Sequence, residues 1–184
     1  MIDKKIIKAC IKGDRVAHKQ LYQSCAPYIY TVVRSYVKDE VFIKDVMQDA
    51  FASIFLSIHQ YDASKGSFKS WVAKISTYRS IDFLRKHQRI EINYELEVVD
   101  YLSEDDFAHL DQLSKRDIET LLEEMPQGYK TIFLLHAIDD FSHKEIGKLL
   151  DISPETSRSQ YHRSLKWIKK NTLITSNQIR YEAF

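Results

Sequence analysis

Residues 142–170, SHKEIGKLLDISPETSRSQYHRSLKWIKK, decide how this chain is read. Ser142 and Glu145 have the S-x-x-E spacing of a capping box, in which two side chains satisfy backbone N–H groups at a helix start. Ile146, Leu149 and Leu150 give that helix one apolar side. Asp151-Ile152-Ser153 makes a turn. Ser153 caps the next helix, and Pro154 sits at its first position, where a missing N–H costs nothing. On the second helix Ser157, Tyr161, Leu165 and Ile168 fall on one side. Arg158, Ser159, His162 and Arg163 fall on another. This is the layout of a helix-turn-helix, whose second helix enters the DNA major groove. A helical hairpin with a solvated basic face carries the same pattern, so the remainder of the chain has to decide between them.

With 184 residues, the chain is long enough for one domain of usual size or two small ones. Four Gly and three Pro argue for helices and against an all-β or loop-rich chain. The formal net charge is only +1, so bulk charge does not announce a nucleic-acid partner. Cys10 and Cys25 are the only cysteines and lack C-x-x-C spacing, which reads as two reduced thiols in a cytoplasmic protein. No apolar run approaches the ~20 residues of a membrane span, so no membrane insertion is expected. The N-terminal MIDKKIIKACIKGD is too polar for a signal peptide.

Helical periodicity runs through most of the chain. Residues 3–11 read as a short helix stopped at Gly13, and Asp14 caps the next. Leu21, Cys25, Ile29, Val32 and Tyr36 give that second helix its apolar spacing, with Pro27 expected to kink or break it. A third helix covers 41–59, with Ile43, Met47, Ala50, Ile54 and Ile58 as its stripe. Asp45, Gln48 and Asp49 lie together on the opposite face. A turn follows at residues 61–66. Ser67 caps a fourth helix, Phe68 to Gln88, with Phe68, Trp71, Val72 and Ile75 facing inward. Ile118, Leu121, Leu122 and Met125 lead to Pro126, which opens a helix carrying Ile132, Phe133, Leu135 and His136. After residue 172 the pattern fades, and the end is expected to fray.

Charge divides the chain. Residues 62–89 hold seven Lys or Arg against two Asp, whereas residues 91–111 hold eight acidic residues and no Lys or Arg. That acidic stretch is also the least periodic, which marks a linker. The expected fold is all-α: two small helical bundles joined by an acidic linker, the second containing the helix-turn-helix. The boundaries are 1–90, a linker at 91–111, 112–172, and a tail at 173–184. Two basic surfaces separated by a tether suit one extended polyanion touched twice.

Three collinear stretches carry a family resemblance. Residues 61–85, YDASKGSFKSWVAKISTYRSIDFLR, resemble the second region of bacterial sigma factors, with a Gly-Ser turn, Phe-x-x-Trp and an Ile-Asp-x-Leu-Arg tail. Residues 45–55, DVMQDAFASIF, resemble the helix those proteins dock on RNA polymerase. Residues 122–170 resemble their fourth region, from a Leu-x-x-x-Pro entry through the helix-turn-helix. Order, spacing and length resemble the extracytoplasmic-function (ECF) branch of the sigma-70 family, over nearly all of residues 10–170.

The resemblance implies roles for particular residues. Asp45, Gln48 and Asp49 match the surface that grips the clamp helices of core RNA polymerase. Tyr61 to Phe68 matches the loop that captures an unstacked base of the minus-ten promoter element, where stacking on an aromatic is worth ~1–3 kcal/mol. Lys65, Lys69, Lys74, Arg79, Arg85 and Lys86 would neutralise phosphates of the opened strand. Phe68 and Trp71 are assigned to packing. Arg158, Ser159, His162 and Arg163 match the face toward the minus-thirty-five element, while Lys144, Lys166 and Lys169 meet phosphates. Three positions depart from the family. Tyr78 stands where Asn is frequent and could stack on a base. Ser157 replaces a usual apolar Val, which would loosen packing, and Gln160 replaces a usual Arg, removing one charge from the DNA side. The acidic linker is either a solvated tether or, on the family pattern, a segment threaded toward the polymerase's RNA channel.

No catalytic constellation is visible. The seven His are scattered without H-E-x-x-H or His/Cys clustering, and no phosphate-binding Gly-rich loop is present, so neither an enzyme, a metal, a cofactor nor a small-molecule substrate is expected. Asp139-Asp140 falls between two helices and suits a turn. A sigma factor needs no chemistry of its own: it favours open DNA by binding extruded bases and single strand more tightly than duplex. The implied partners are core RNA polymerase, promoter DNA as duplex and single strand, and an anti-sigma factor of the kind that often holds this branch. Two other readings compete. A stand-alone helix-turn-helix regulator would bind duplex alone and leave residues 61–89 without a task. A helical decoy that sequesters a sigma-binding partner would not need Arg158 and Arg163.

Overall fold

A computed structural model of the chain describes residues 2–87 and 115–181. It divides into two compact units, residues 1–89 and 90–184. Every regular element among the described residues is helical. The acidic stretch 91–111 lies outside them.

The first unit holds α1 (Lys4–Ile11), α2 (Arg15–Tyr36), α3 (Glu40–Ser57), a 3-10 turn (Ile58–Gln60) and α4 (Phe68–His87). Aspartates open the first three helices. Asp3 accepts from Lys5 N at 2.9 Å, Asp14 from Val16 N at 2.8 Å and Ala17 N at 3.0 Å, and Asp39 from Val41 N at 2.9 Å. Each satisfies an N–H group that the helix leaves without an internal acceptor. Gly13, in the left-handed region at φ 81°, separates α1 from α2.

Ala17, Leu21, Cys25, Ile29, Val33 and Tyr36 bury one face of α2. Contrary to the expected break, α2 continues through Pro27. Pro27 is exposed, so the carbonyl it leaves unbonded can turn to water, while buried Cys25 and Ile29 hold the helix on either side. Val33, not Val32, takes the buried place. On α3, Val46 is buried and Met47 only half-buried. Both flank the centre of the stripe on a 3.6-residue helix, so periodicity alone does not choose between them.

The inner face of α4 is Phe68, Val72, Ser76, Thr77, Ser80, Ile81 and Leu84. Trp71 and Ile75, expected inside, are half-buried. Small hydroxyl residues take the centre of the seam. Ser76 donates to the Val72 carbonyl at 2.8 Å and Ser80 to the Ser76 carbonyl at 2.9 Å, so neither hydroxyl is buried unsatisfied. Their small volume lets α4 pack against both α2 and α3. Cys10 and Cys25 are free and buried. Burial, and then the charge of Asp14, raises the Cys10 thiol, and burial beside Cys10 pushes Cys25 up to about 11.

The second unit holds α5 (Lys115–Glu124), α6 (Gln127–Phe133), a π-helical turn (Leu134–Ile138), α7 (His143–Leu150) and α8 (Pro154–Tyr181). Its core joins Leu121, Met125, Ile132, Leu134, Leu135, Phe141, Ile146, Leu149, Leu150 and Ile168, whereas Ile118 is 44% exposed. The turn after α6 widens: Asp139 N donates to the Leu134 carbonyl at 2.9 Å, five residues back. Asp140 then adopts φ 57°, a left-handed conformation that Asp tolerates. Further on, α8 runs to Tyr181, past residue 172 where the sequence pattern fades. Once nucleated, a helix gains a hydrogen bond for each residue added.

Between α7 and α8, Asp151 caps α7 at φ 58° and Ile152 N donates to the Gly147 carbonyl at 2.9 Å. A Cβ on Gly147 would stand 2.7 Å from the Ile152 carbonyl oxygen and 3.4 Å from Pro154 N. Both neighbours are backbone, so neither can swing away. Gly147→Ala is therefore expected to lower stability by about 1–3 kcal/mol in urea unfolding, the usual scale of overpacking. An unchanged midpoint would show that the turn has room.

Candidate nucleic-acid interface

The helix-turn-helix is built as the sequence indicates. Ser142 Oγ accepts from Glu145 N at 3.3 Å, and Glu145 Oε2 accepts from Ser142 N at 2.8 Å, which completes the capping box. Ser153 Oγ accepts from Thr156 N at 3.0 Å and starts α8. Arg158 and Lys144 are exposed, whereas Ser159, His162, Arg163 and Lys166 are half-buried. The Ser159 hydroxyl turns back to the Thr156 carbonyl at 3.0 Å. Arg158 Nη1 lies 3.4 Å from Glu155 Oε1, with both side chains more than half exposed. Such a pair contributes ~0–1 kcal/mol and yields readily to a phosphate or a guanine edge.

Two of the three departures from the family pattern, Gln160 and Ser157, are buried. Gln160 is fully buried, so its place belongs to the interior of the unit and not to the DNA side. Ser157 is fully buried as well, and its Oγ meets His143 Nδ1 at 3.0 Å. The substitution of Ser for an apolar residue is thus compensated by a polar partner. The histidines that look scattered in sequence converge here. The His136 and His143 rings stack with centroids 4.1 Å apart, and Tyr161 meets His136 edge-on at 4.5 Å. His136 Nδ1 donates to the Phe141 carbonyl at 2.8 Å. Sequence spacing does not reveal this cluster, because its members lie 7, 14 and 4 positions apart; the one signal of it is a hydroxyl at a position where the helix pattern calls for an apolar side chain.

In the first unit, the loop before α4 is held by its own side chains. The Tyr61 hydroxyl donates to the Gly66 carbonyl at 3.1 Å, and its ring meets Phe68 edge-on at 5.0 Å and Trp71 at 5.7 Å. Asp62 Oδ1 accepts from Ser64 N at 2.9 Å and Ser64 Oγ at 2.8 Å. Those bonds, and Lys65 beside them, hold the Asp62 carboxyl below its ordinary value. Gly66 at φ 148° takes a conformation that side chains rarely adopt. Tyr61 is half-buried, so it forms one wall of an aromatic corner with Phe68 and Trp71.

The basic residues of this unit spread over several faces. Lys65, Lys74, Arg85 and Lys86 are exposed, and Tyr78 is 42% exposed. Lys69 Nζ stands 4.5 Å above the Tyr28 ring of α2, a cation–π contact. Arg79 Nε donates to Ser53 Oγ of α3 at 2.9 Å, and its Nη1 lies 3.2 Å from Asp82 Oδ2. Asp45, Gln48 and Asp49 are exposed together on α3. The sequence did not single out Phe42, Phe83 and His87. Phe83 lies 5.0 Å from Phe42 and 4.6 Å from His87, centroid to centroid, beside Arg85 and Lys86.

Two helical units in one chain, the second built on a helix-turn-helix, define a two-part DNA-binding protein. The Sigma-70 region 2 family matches residues 21–90, and Sigma-70, region 4 matches residues 115–168. RNA polymerase sigma factor SigV of Bacillus subtilis (strain 168) is 28% identical over 169 residues, covering 92% of this chain and 95% of that one. ECF RNA polymerase sigma factor SigW of the same organism is 27% identical over 183 residues, covering 92% and 96%. Among solved structures, "Structure of CnrH in complex with the cytosolic domain of CnrY" aligns with 95% of this chain and 97% of that chain, at 21% identity and a TM-score of 0.49. The chain belongs to the sigma-70 family of transcription initiation factors, in its ECF branch. It is a DNA-binding factor, not an enzyme. No helix among the described residues is long and apolar enough to cross a membrane.

His143 gives this site a pH signature. Burial, then the charges of His136, Arg158 and His162, lower its pKa from 6.5 to about 4. The folded form therefore disfavours the proton that the unfolded chain accepts. Its contribution to stability is complete above about pH 6.5 and is lost as pH falls toward 4. The thermal midpoint should drop between pH 7 and pH 5, and His143→Phe should flatten that slope. Equal slopes for the two proteins would remove His143 as its source.

Proposed function

We propose that this ECF sigma factor divides promoter recognition between its two units. The first, residues 1–90, binds core RNA polymerase through Asp45, Gln48 and Asp49. It takes the minus-ten element through Tyr61, Lys65, Lys69, Lys74, Tyr78, Arg79, Arg85 and Lys86. The acidic segment 91–111 links it to residues 112–172, which read duplex at the minus-thirty-five element through Arg158, Ser159, His162 and Arg163. Lys144 and Lys166 meet phosphates there. The observation that carries this reading is the occurrence of both family regions, in order, on two separate helical units. Melted DNA is stabilised by stacking and phosphate neutralisation, so no covalent step is required.

Several features support the assignments. Asp45 and Asp49 are exposed one helical turn apart, which presents two carboxylates to a basic partner. The exposed lysines and arginines of α4 suit a single strand's phosphates. The work is done in the cytoplasm, where polymerase and promoters are. An anti-sigma factor is the partner that would cover the α3 surface before polymerase reaches it.

Run-off transcription of fragmented genomic template by core RNA polymerase, with and without the protein, tests the function. Discrete start sites appearing only with the protein are expected. No new starts together with no core binding would favour a stand-alone duplex-binding regulator. Arg158→Ala with Arg163→Ala should abolish upstream discrimination, each lost base contact being worth ~1–3 kcal/mol, while core binding persists. Asp45→Lys with Asp49→Lys should do the reverse, abolishing core binding in a pull-down. Unchanged core affinity would return that face to solvent.

A further inference from the structure

Ser157 and Arg158 are consecutive in the first turns of α8, and they face opposite tasks. Arg158 is exposed, and Ser157 has no exposed surface. A buried hydroxyl is costly unless bonded, and this one meets His143 Nδ1 at 3.0 Å. His143 is the first residue of α7, so the bond crosses between the two helices of the motif. His143 is itself held. Its ring stacks on His136 at 4.1 Å, and His136 is fixed by the 2.8 Å bond from its Nδ1 to the Phe141 carbonyl. One turn beyond Ser157, Tyr161 packs edge-on against His136 at 4.5 Å. Two successive turns of α8 are therefore gripped by rings from the elements before it.

A hydrogen bond is directional, whereas apolar packing tolerates sliding and rotation. Arg158 and His162 each follow a gripped residue by one position, so they turn with α8. A group about 6 Å from a helix axis moves about 1.5 Å when the helix rotates ~15°. Base readout tolerates displacements of only about 0.5 Å.

We propose that His143 is a positioning residue for promoter reading: through Ser157 it fixes the rotation of α8, and so the places at which Arg158 and His162 meet the base edges of the upstream element. The inference rests on the reading of α8 as the upstream-element helix.

The test uses the full chain with core RNA polymerase on a promoter library randomised across the upstream element, with the transcripts sequenced. Ser157→Thr keeps the hydroxyl and should keep the preference. Ser157→Val alone leaves the half-buried His143 nitrogen without its Ser157 partner and should lower the thermal midpoint. His143→Leu with Ser157→Val removes both polar groups and should recover the midpoint, as paired apolar replacements do. Its discrimination should nevertheless fall about ten-fold or move to other sequences, with core affinity unchanged. A purely structural role predicts recovery of both midpoint and preference, and that result would overturn the proposal. Ser157→Ala, too small to strain the core, is the second test: about ten-fold weaker discrimination supports the proposal, and wild-type discrimination overturns it. A wild-type chain without any upstream preference would overturn the functional reading, and the positioning role with it. Preference retained by the double variant overturns the positioning role alone.

Discussion

The approach of α7 to the start of α8 is limited by a single missing carbon. Gly147 lets the Ile152 carbonyl stand where a side chain would otherwise be, and its own carbonyl accepts the Ile152 N–H at 2.9 Å. The turn closes in this way within three residues, and everything on α8 follows from it. Ser157 arrives opposite His143, Tyr161 arrives against His136, and Arg158 is left facing outward. Interior packing behind the turn uses Ile146, Leu149 and Leu150, which supply burial but little direction. Direction comes from the polar contacts at its rim.

The first unit solves a related problem with different residues. Three helices pack closely because the middle of α4 is lined by Ser76, Thr77 and Ser80, all fully buried. Ser76 and Ser80 bond to carbonyls of their own helix and so demand nothing from α2 or α3. Arg79, on the outer side, reaches Ser53 of α3, one turn beyond Asp49. The helix we assign to the promoter strand and the helix we assign to polymerase are thus bound by a side chain as well as by their core. The loop that precedes α4 is ordered in the same economical way, by Asp62 folding onto Ser64 and Tyr61 onto Gly66.

Much of this was legible in the sequence because it rests on local rules. Caps at Asp14, Ser67, Ser142 and Ser153 depend on residues two or three positions away, and the family resemblance rests on contiguous motifs. What was not legible depends on neighbours distant in sequence. Pro27 was expected to interrupt α2, but its exposure and the burial of Cys25 and Ile29 decided otherwise. Val46 and Met47 are equivalent to a periodicity argument, and only packing separates them. Gln160 reads as a surface residue by type, yet it is inside. Ser157 reads as a defect until His143, fourteen residues earlier, is placed against it. The seven histidines carry no spacing signal, since two of them, His136 and His143, meet only after a π-helical turn and the start of α7 have folded.

The two cysteines have a practical consequence. Both lie in the first unit, on α1 and α2, and the chain has no others. Burial raises both thiols above their ordinary value, so thiolate is scarce at neutral pH and alkylating reagents should find the native protein slow to react. Opening of α1 from α2 would expose them. Thiol labelling is therefore an intrinsic clock for the first unit, read without any introduced probe.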